Sequence, residues 1–253
     1  MQTSGFSGAA LAAMPPGTGG PDSPIGPDGP DNMPSPATGL GPLLEEFAYD
    51  CAGYCDATWL PLPLVLLRAG NPLQTPLARR MLSAWLIREA GGDPEQPFQF
   101  IDTLQRSVLL PAPLLVRVTE VLGLLSLGQR LRHLLDRERV ARVQALFGRD
   151  AYRLALQHAD SFPEHNDIDS LLRQPDTLLR DAFRQSGFVA LRKALMLHDD
   201  SLAARWLLKF DRAYTHAPPG VDRRVMLPAE TQQVRLHLLR LIHSLDPAWH
   251  SLF

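Results

Sequence analysis

The sequence predicts an all-α protein, a compact single helical domain of about nine to eleven short helices that follows a disordered tail. Apolar residues recur at spacings of three and four along most of the chain, and no run alternates apolar and polar residues for long enough to make a strand. Leu and Ala also outnumber Val and Ile, which is the preference of helices.

The tail is predicted to cover residues 1–41, and the helical domain residues 42–253. The first segment is rich in Gly, Pro, Ser and Asp. Such a composition buries too little apolar surface to offset the entropy that ordering costs. Its glycines do not form a phosphate-binding loop, because no Gly-Lys-Ser/Thr follows them.

The first ordered elements are predicted from apolar spacing and from proline. A helical face spans 43–48, and YCDATWLPLP at 54–63 is typical of a turn that carries Trp59. A short helix is predicted at 62–69. A longer helix that ends at Gly91-Gly92 shows one apolar stripe, formed by Leu77, Met81, Leu82, Trp85 and Leu86.

The central stretch is Leu109–Ala159, and its most apolar part runs from Leu114 to Leu127. This part is charged only at Arg117 and Glu120, so it is predicted to be a core helix that is too short and too charged to span a bilayer. Gly123 and Gly128 are predicted to let neighbouring helices approach closely, although Gly128 would equally suit a helix end.

The helices after the core helix are predicted from caps and breakers. Asp136 is a predicted N-cap, Gly148 a helix end, and Asp150 a second cap. Later predicted helices run from Asp176 to Gly187, from Phe188 to Leu195, and from a cap at Asp199 or Asp200 through Trp206 and Phe210. The last helix has an apolar face from Val234 to Leu245 and ends at Asp246-Pro247.

Composition and charge exclude several classes of partner. The formal net charge of −2 gives no basis for binding nucleic acid or anionic lipid. The N-terminus lacks a basic region followed by an apolar one, and no segment has the length and apolarity of a membrane span. We therefore expect a cytosolic protein with no direct membrane insertion.

The residues that could carry chemistry do not converge on a reaction. His158, Asp160, His165, Asp167 and Asp169 are suitable metal ligands, but they lack the spacing of a known site, and a solvated loop is favoured. Cys51 and Cys55, the only cysteines, are expected to be packed thiols. There is no Gly-x-Ser-x-Gly elbow. His237 and His243 are expected at the surface edge of the last helix. The sequence thus predicts no catalytic residue, no cofactor and no metal, and we expect the protein not to be an enzyme.

Five residues are candidates for partner binding. The aromatic residues Trp59, Trp249 and Phe253 lie near segment ends, where exposed aromatic side chains can anchor a partner. The alternative is that they close the core. Arg223 and Arg224 could contact an acidic partner, and the alternative for them is a solvated loop.

Two stretches resemble the SctK family of type III secretion systems, whose members include YscK, MxiK and OrgA. These are YCDATWLP at 54–61 and the whole of Leu109–Ala159, with its Leu-Leu-Pro start and its Phe-Gly-x-Asp-Ala-Tyr segment. The resemblance covers residues 43–214 and extends towards the C-terminus. It carries over no binding residue, because the shared motifs are packing patterns.

The resemblance implies a cytosolic accessory protein of the secretion sorting platform, located at the cytosolic face of the bacterial inner membrane when assembled. The implied partners are the cytoplasmic domain of a SctD-like inner-membrane ring protein and a SctQ-like pod protein, and indirectly SctL and SctN. The alternatives are a secretion chaperone or cytosolic regulator, and a metal-dependent helical enzyme that would use the loop from His158 to Asp169.

Overall fold

Helices account for all the regular secondary structure that we describe. The computed structural model describes residues 39–61, 75–133, 136–158, 172–215 and 228–253, and this part of the chain contains no strand. The all-α prediction is confirmed. The α-helices are α1 (Leu40–Tyr49), α2 (Cys51–Tyr54), α3 (Pro76–Glu89), α4 (Ala112–Ser126), α5 (Gly128–Arg132), α6 (Arg137–Phe147), α7 (Arg149–Gln157), α8 (Asp176–Leu195), α9 (Asp200–Leu207) and α10 (Pro228–Leu245). Short 3-10 helices lie at Ala57–Trp59, Thr103–Leu109, Arg212–Thr215 and Pro247–Leu252.

The centre of the fold is the crossing of α4 and α8. Every residue of α4 from Val118 to Ser126 is buried, as predicted for the core helix. A Cβ atom built on Gly123 would lie 2.0 Å from the carbonyl oxygen of Phe183, and one built on Gly187 would lie 1.7 Å from that of Thr119. The two backbones therefore touch at a pair of glycines, and the predicted packing role of Gly123 is confirmed.

Gly187 does not end a helix, and the prediction that it does was wrong. It lies in the middle of α8, which continues unbroken to Leu195. The contact with Thr119 leaves no room for a side chain and so accounts for a glycine at this position, which the sequence of α8 alone does not reveal. Gly128 lies at a break between two helices, in agreement with the alternative prediction of a helix end, because α4 ends at Ser126 and α5 begins at Gly128.

Local capping largely follows the sequence. The Asp136 carboxylate accepts a hydrogen bond from the Glu138 amide, and that of Asp199 accepts from the amides of Ser201 and Leu202. Gly148 ends α6 with a φ of 92°, a conformation that favours glycine. Asp150 is not a cap, because α7 begins one residue earlier and Asp150 lies in its first turn.

A second, smaller apolar cluster joins α2, α3 and α9. Cys51, Trp59, Leu86 and Leu208 are among its buried members. The Ser83 hydroxyl on α3 accepts a hydrogen bond of 3.0 Å from the Ala52 amide, which fixes the orientation of α3 against α2.

This orientation divides the apolar stripe predicted for α3. Leu82 and Leu86 face inwards together with Ile87, whereas Leu77 and Met81 remain 70% and 67% exposed. Leu77 and Met81 therefore belong to the predicted apolar stripe but not to the face of α3 that the fold buries. They lie on the opposite side of the helix from the face that packs on α2.

Arginine side chains cover the carboxyl ends of several helices, and in most cases they reach from a different helix. The last carbonyl groups of a helix lack partners within it, and a guanidinium offers several donors in a fixed plane. The donor and acceptor pairs near α-helix ends are Arg180 to Leu146 (2.7 Å), Arg117 to Phe147 (2.6 Å), Arg132 to Leu156 (2.8 Å), Arg235 to Ala194 (2.8 Å) and Arg205 to Ala48 (3.3 Å).

Some predictions fall outside the described residues. These are nearly all of the 1–41 tail, the short helix at 62–69, and four of the five loop residues between His158 and Asp169. The first described helix begins at Leu40, just before the predicted start of the helical domain.

Candidate interaction surface

The two tryptophans proposed as partner anchors are buried. Trp59 and Trp249 are each 3% exposed. The indole Nε1 of Trp59 donates a hydrogen bond of 2.8 Å to the carbonyl oxygen of Phe210, which satisfies its polar atom inside the protein. The structure thus favours the alternative stated for these residues, in which they close the core.

The remaining three candidates give no exposed site in the described structure. Phe253 is partly buried and packs against the main core. Arg223 and Arg224 lie outside the described residues.

The two cysteines are buried thiols that are not joined in a disulfide, and their environment is not that of a nucleophile. The Cys51 Sγ lies 2.9 Å from the Tyr54 hydroxyl. Burial raises the pKa of the Cys51 thiol to about 11, although the hydrogen bond with Tyr54 opposes the shift. A reactive cysteine needs the reverse, a lowered pKa and access to solvent. The expectation of packed thiols therefore agrees with their environment.

Lys209 is a buried cation that the sequence reasoning did not single out. Its Nζ donates a hydrogen bond of 2.7 Å to the Leu110 carbonyl and lies 4.8 Å from the centre of the Tyr54 ring and 5.2 Å from that of Phe47. Burial lowers its pKa to about 7, against the opposing charge of Glu46. The available signal was a lysine within an apolar helical face, in a chain that has only one other lysine.

Arg205, one turn before Lys209, is buried in the same region. Its guanidinium donates to the carbonyl oxygens of Ser201 (3.0 Å) and Pro94 (3.2 Å) and to the Ser201 hydroxyl. Both cations are thus held by uncharged oxygen atoms of the protein and by aromatic rings. The hydrogen bonds of Arg205 and Lys209 therefore join α9 and the residues just after it to neighbouring segments.

No group of three or more metal-binding side chains occurs among the described residues. His158, the one described member of the predicted loop, packs its ring 4.5 Å from that of His237 on α10. His237 is buried rather than at the surface edge, so that prediction was wrong for it, whereas His243 is exposed. Burial lowers the pKa of His237, and the charges of His158 and Arg240 act in the same direction.

A surface groove lies between α1 and α3. Its lining is mixed in polarity and consists of Pro42, Glu45, Glu46, Tyr49, Asp50, Pro76, Arg79 and Arg80. One ion pair connects its two walls, with the Arg79 Nε donating to Asp50 Oδ1 at 3.0 Å. The groove is thus bounded by two helices whose relative position is fixed.

One exposed aromatic side chain lies among the residues that line the groove. Tyr49, at the end of α1, is 61% exposed, whereas the exposed Leu77 and Met81 lie on another side of α3. Within the described ranges, neither Glu45 nor Arg80 takes part in a side-chain hydrogen bond or ion pair. Burial raises the pKa of Glu46, which Lys209 opposes. The surface therefore combines exposed apolar area with charges that a binding partner can complement.

Together the fold and the groove define an all-α protein whose exposed features suit contact with another macromolecule. The family model described as "YOP proteins translocation protein K (YscK)" matches residues 45–253. The chain belongs to this YscK family, which confirms the resemblance and makes it a type III secretion protein. No curated protein and no solved structure matches the chain. None of the described helices combines the length and the apolarity that crossing a membrane requires.

Proposed function

We propose that this chain is a non-enzymatic adaptor of a type III secretion system. It connects the cytoplasmic domain of a SctD-like inner-membrane ring protein to the SctQ-like pod protein of the sorting platform, and through the pod to SctL and SctN. It acts in the bacterial cytoplasm, at the cytosolic face of the inner membrane. The observation that carries the proposal is the family match, which extends over nearly all of the described structure.

The internal chemistry of the fold supports a scaffold. The buried groups with strongly shifted pKa values include the Cys51 thiol, the Tyr54 hydroxyl and the Lys209 ammonium, and all three contact other groups of the protein itself. An enzyme instead directs such groups towards a space that substrate can enter. An adaptor needs a rigid body and an exposed contact surface, and the groove between α1 and α3 offers such a surface.

The test is affinity purification of the tagged full-length chain from its native host, with mass spectrometry of the proteins that co-purify. The control is the same tagged chain in a strain that lacks the pod gene. We expect the pod protein and the ring protein in the first strain, and the ring protein alone in the second.

Two results would contradict the adaptor. Recovery of secreted substrates in place of platform proteins would identify a chaperone. Recovery of neither group, under conditions in which the host secretes, would favour a cytosolic regulator.

A further inference from the structure

One buried carboxylate on the core helix α4 gathers three arginine side chains. Glu120 accepts a hydrogen bond of 2.9 Å from Arg117 and lies 2.8 Å from a guanidinium nitrogen of Arg184. The Nε of Arg180 lies 3.8 Å from the same carboxylate. A single guanidinium is enough to neutralise a single carboxylate. The three arginines therefore bring more positive charge to this place than the burial of Glu120 requires.

The three guanidinium groups are fixed in position and yet remain open to solvent. Arg117 and Arg180 also donate to the last carbonyl groups of α6, those of Phe147 and Leu146. Their side chains are nevertheless 38% and 41% exposed, and that of Arg184 is 28% exposed. The Nε of Arg180 has no hydrogen-bond partner within the described structure, so the protein satisfies this guanidinium only in part. Because the side chains are already ordered, binding an acceptor from outside costs them little entropy.

Arg149 adds a fourth cation at the edge of this group. It follows Gly148, where a Cβ atom would lie 3.6 Å from the Arg117 guanidinium, and it is exposed. Within the described ranges its side chain forms no hydrogen bond or ion pair. The neighbouring Asp150 is instead paired with Arg153 at 3.7 Å. We call the four residues the arginine cluster: Arg117, Arg149, Arg180 and Arg184.

The arginine cluster has an excess of positive charge. Its four guanidinium groups face two carboxylates, those of Glu120 and Asp181, and the second of these lies 3.9 Å from Arg184. The whole chain has a net charge of −2, so the positive charge is local to this surface. A guanidinium presents a planar fork of donors that matches a carboxylate, and the cluster already binds the carboxylate of Glu120 in this way. Acidic side chains of another protein therefore complement the cluster in both charge and geometry.

A protein segment suits the arginine cluster better than a nucleic acid or an anionic membrane does. Those partners extend over a wide surface, and a chain with a net charge of −2 repels them outside the cluster. We propose that the arginine cluster binds an acidic segment of a partner protein in the secretion apparatus, whose Asp or Glu carboxylates pair with Arg149 and Arg180. This inference rests on the proposed function, because it takes the partner to be a protein that the adaptor connects.

The first experiment is photo-crosslinking in the native host. A benzoylphenylalanine replaces Thr177 or Asp181 in the full-length chain, and mass spectrometry identifies the crosslinked peptide. Both positions are exposed on α8, and each lies one turn before an arginine of the cluster. The matched control places the same residue at Leu178, which is 54% exposed on a different side of α8. We expect positions 177 and 181 to capture the same Asp- or Glu-rich segment of another secretion protein, and position 178 not to capture it.

The second experiment measures affinity with purified proteins. The titrant is whichever of the pod protein and the ring protein's cytoplasmic domain is captured by crosslinking. Arg149→Glu should raise its Kd about tenfold, and changing an acidic residue of the captured segment to arginine should restore the affinity of this variant. The matched control is Arg88→Glu on α3, an exposed arginine that also has no ion pair within the described ranges, and it should leave the Kd within twofold. Circular dichroism of each variant verifies that the fold is retained.

The outcomes separate the inference from the adaptor proposal. Crosslinks from positions 177 and 181 to nucleic acid, to lipid, to a second copy, to a segment without acidic residues, or to nothing overturn the arginine cluster as a docking site. Capture of the same segment by position 178, or an unchanged Kd of Arg149→Glu for a partner that the wild type binds, also overturns it, and the adaptor then stands. If the wild type co-purifies with no platform protein, the adaptor proposal fails instead.

Discussion

Because the backbones touch at Gly123 and Gly187, adding a single methyl group at either position should greatly lower the stability of the fold. Replacing Gly187 with alanine places a Cβ atom 1.7 Å from the Thr119 carbonyl oxygen, whereas real Cβ atoms essentially never approach closer than 3.0 Å. The obstacle is backbone in the middle of a buried helix, which cannot rotate away. The two helices must therefore separate by more than 1 Å.

The magnitude follows from two opposing terms. Overpacking of a core costs about 1–3 kcal/mol, and this case belongs at the upper end because Val118–Ser126 are all buried and move together. Alanine is favoured over glycine within a helix by about 1 kcal/mol, which offsets part of the loss. We expect Gly187→Ala to lower the free energy of unfolding by about 2 kcal/mol, and Gly123→Ala to have a similar effect.

The assay is urea denaturation followed by circular dichroism at 222 nm. With a slope of about 2 kcal/mol per molar urea, the midpoint should fall by about 1 M at an unchanged slope. The matched control is Gly41→Ala in α1, where a Cβ atom meets nothing within 4 Å. That change should cause no loss of stability.

The double variant gives an independent check. Once one alanine has separated the helices, the second needs little further movement, so its cost should be well below the sum of the two single costs. If either single variant were as stable as the wild type, the helices would not touch through their backbones, and the account of the central crossing would be incorrect.

Three further predictions concern buried polar groups. Between pH 7 and 9 the unfolded chain retains a proton on Lys209 that the folded chain releases, because burial lowers the folded pKa to about 7 from 10.5. The stability of the wild type should therefore rise relative to Lys209→Met by on the order of 1 kcal/mol per pH unit, as measured by chemical denaturation, and a constant difference would contradict the buried ammonium. Glu120→Gln removes the buried carboxylate that binds Arg117 at 2.9 Å and Arg184 at 2.8 Å, and it should lower the thermal midpoint through a loss of about 3 kcal/mol. A thermal midpoint equal to that of the wild type would show that the ion pairs of Glu120 with Arg117 and Arg184 do not stabilise the fold. Cys51 and Cys55 should react with iodoacetamide far more slowly in the native protein than in urea, and equal rates would disprove their burial.

The sequence determines most of the helices because their signals are local. The last helix is a clear case: Val234, Leu238, Leu241 and Ile242 repeat at spacings of three and four, and all are buried in α10. Asp136, Asp199 and Gly148 likewise act on amides or carbonyls only a few residues away. Such signals need no knowledge of the tertiary fold.

Features that depend on distant partners could not be predicted. The role of Gly187 as a packing residue in the middle of α8 depends on its contact with Thr119, on another helix. The buried Arg205 guanidinium is satisfied by carbonyl groups that are distant in the sequence, and one of them belongs to Ala48. The inward face of α3 packs on α2 and α9 and includes a hydrogen bond between Ser83 and Ala52, which are 31 positions apart, so the apolar spacing alone does not indicate that Leu77 and Met81 are exposed.

The candidate surface was predicted least well, for the same reason. Aromatic residues near segment ends, such as Trp59 and Trp249, suit either an interface or a core, and only the packing distinguishes these roles. The groove between α1 and α3 has no compact motif, because the residues that line it come from segments separated by about 30 positions.

The arginines at helix ends affect how the protein opens as well as how it folds. A helix whose last carbonyls are bound by a side chain from another helix cannot fray without releasing that side chain. Arg205 and Ala48 are 157 positions apart, so opening at the end of α1 also disturbs α9. Motions that would be confined to one helix end are thereby shared across the chain. Slow hydrogen exchange should then extend to the last turns of α1, α6 and α8, where exchange is usually fast.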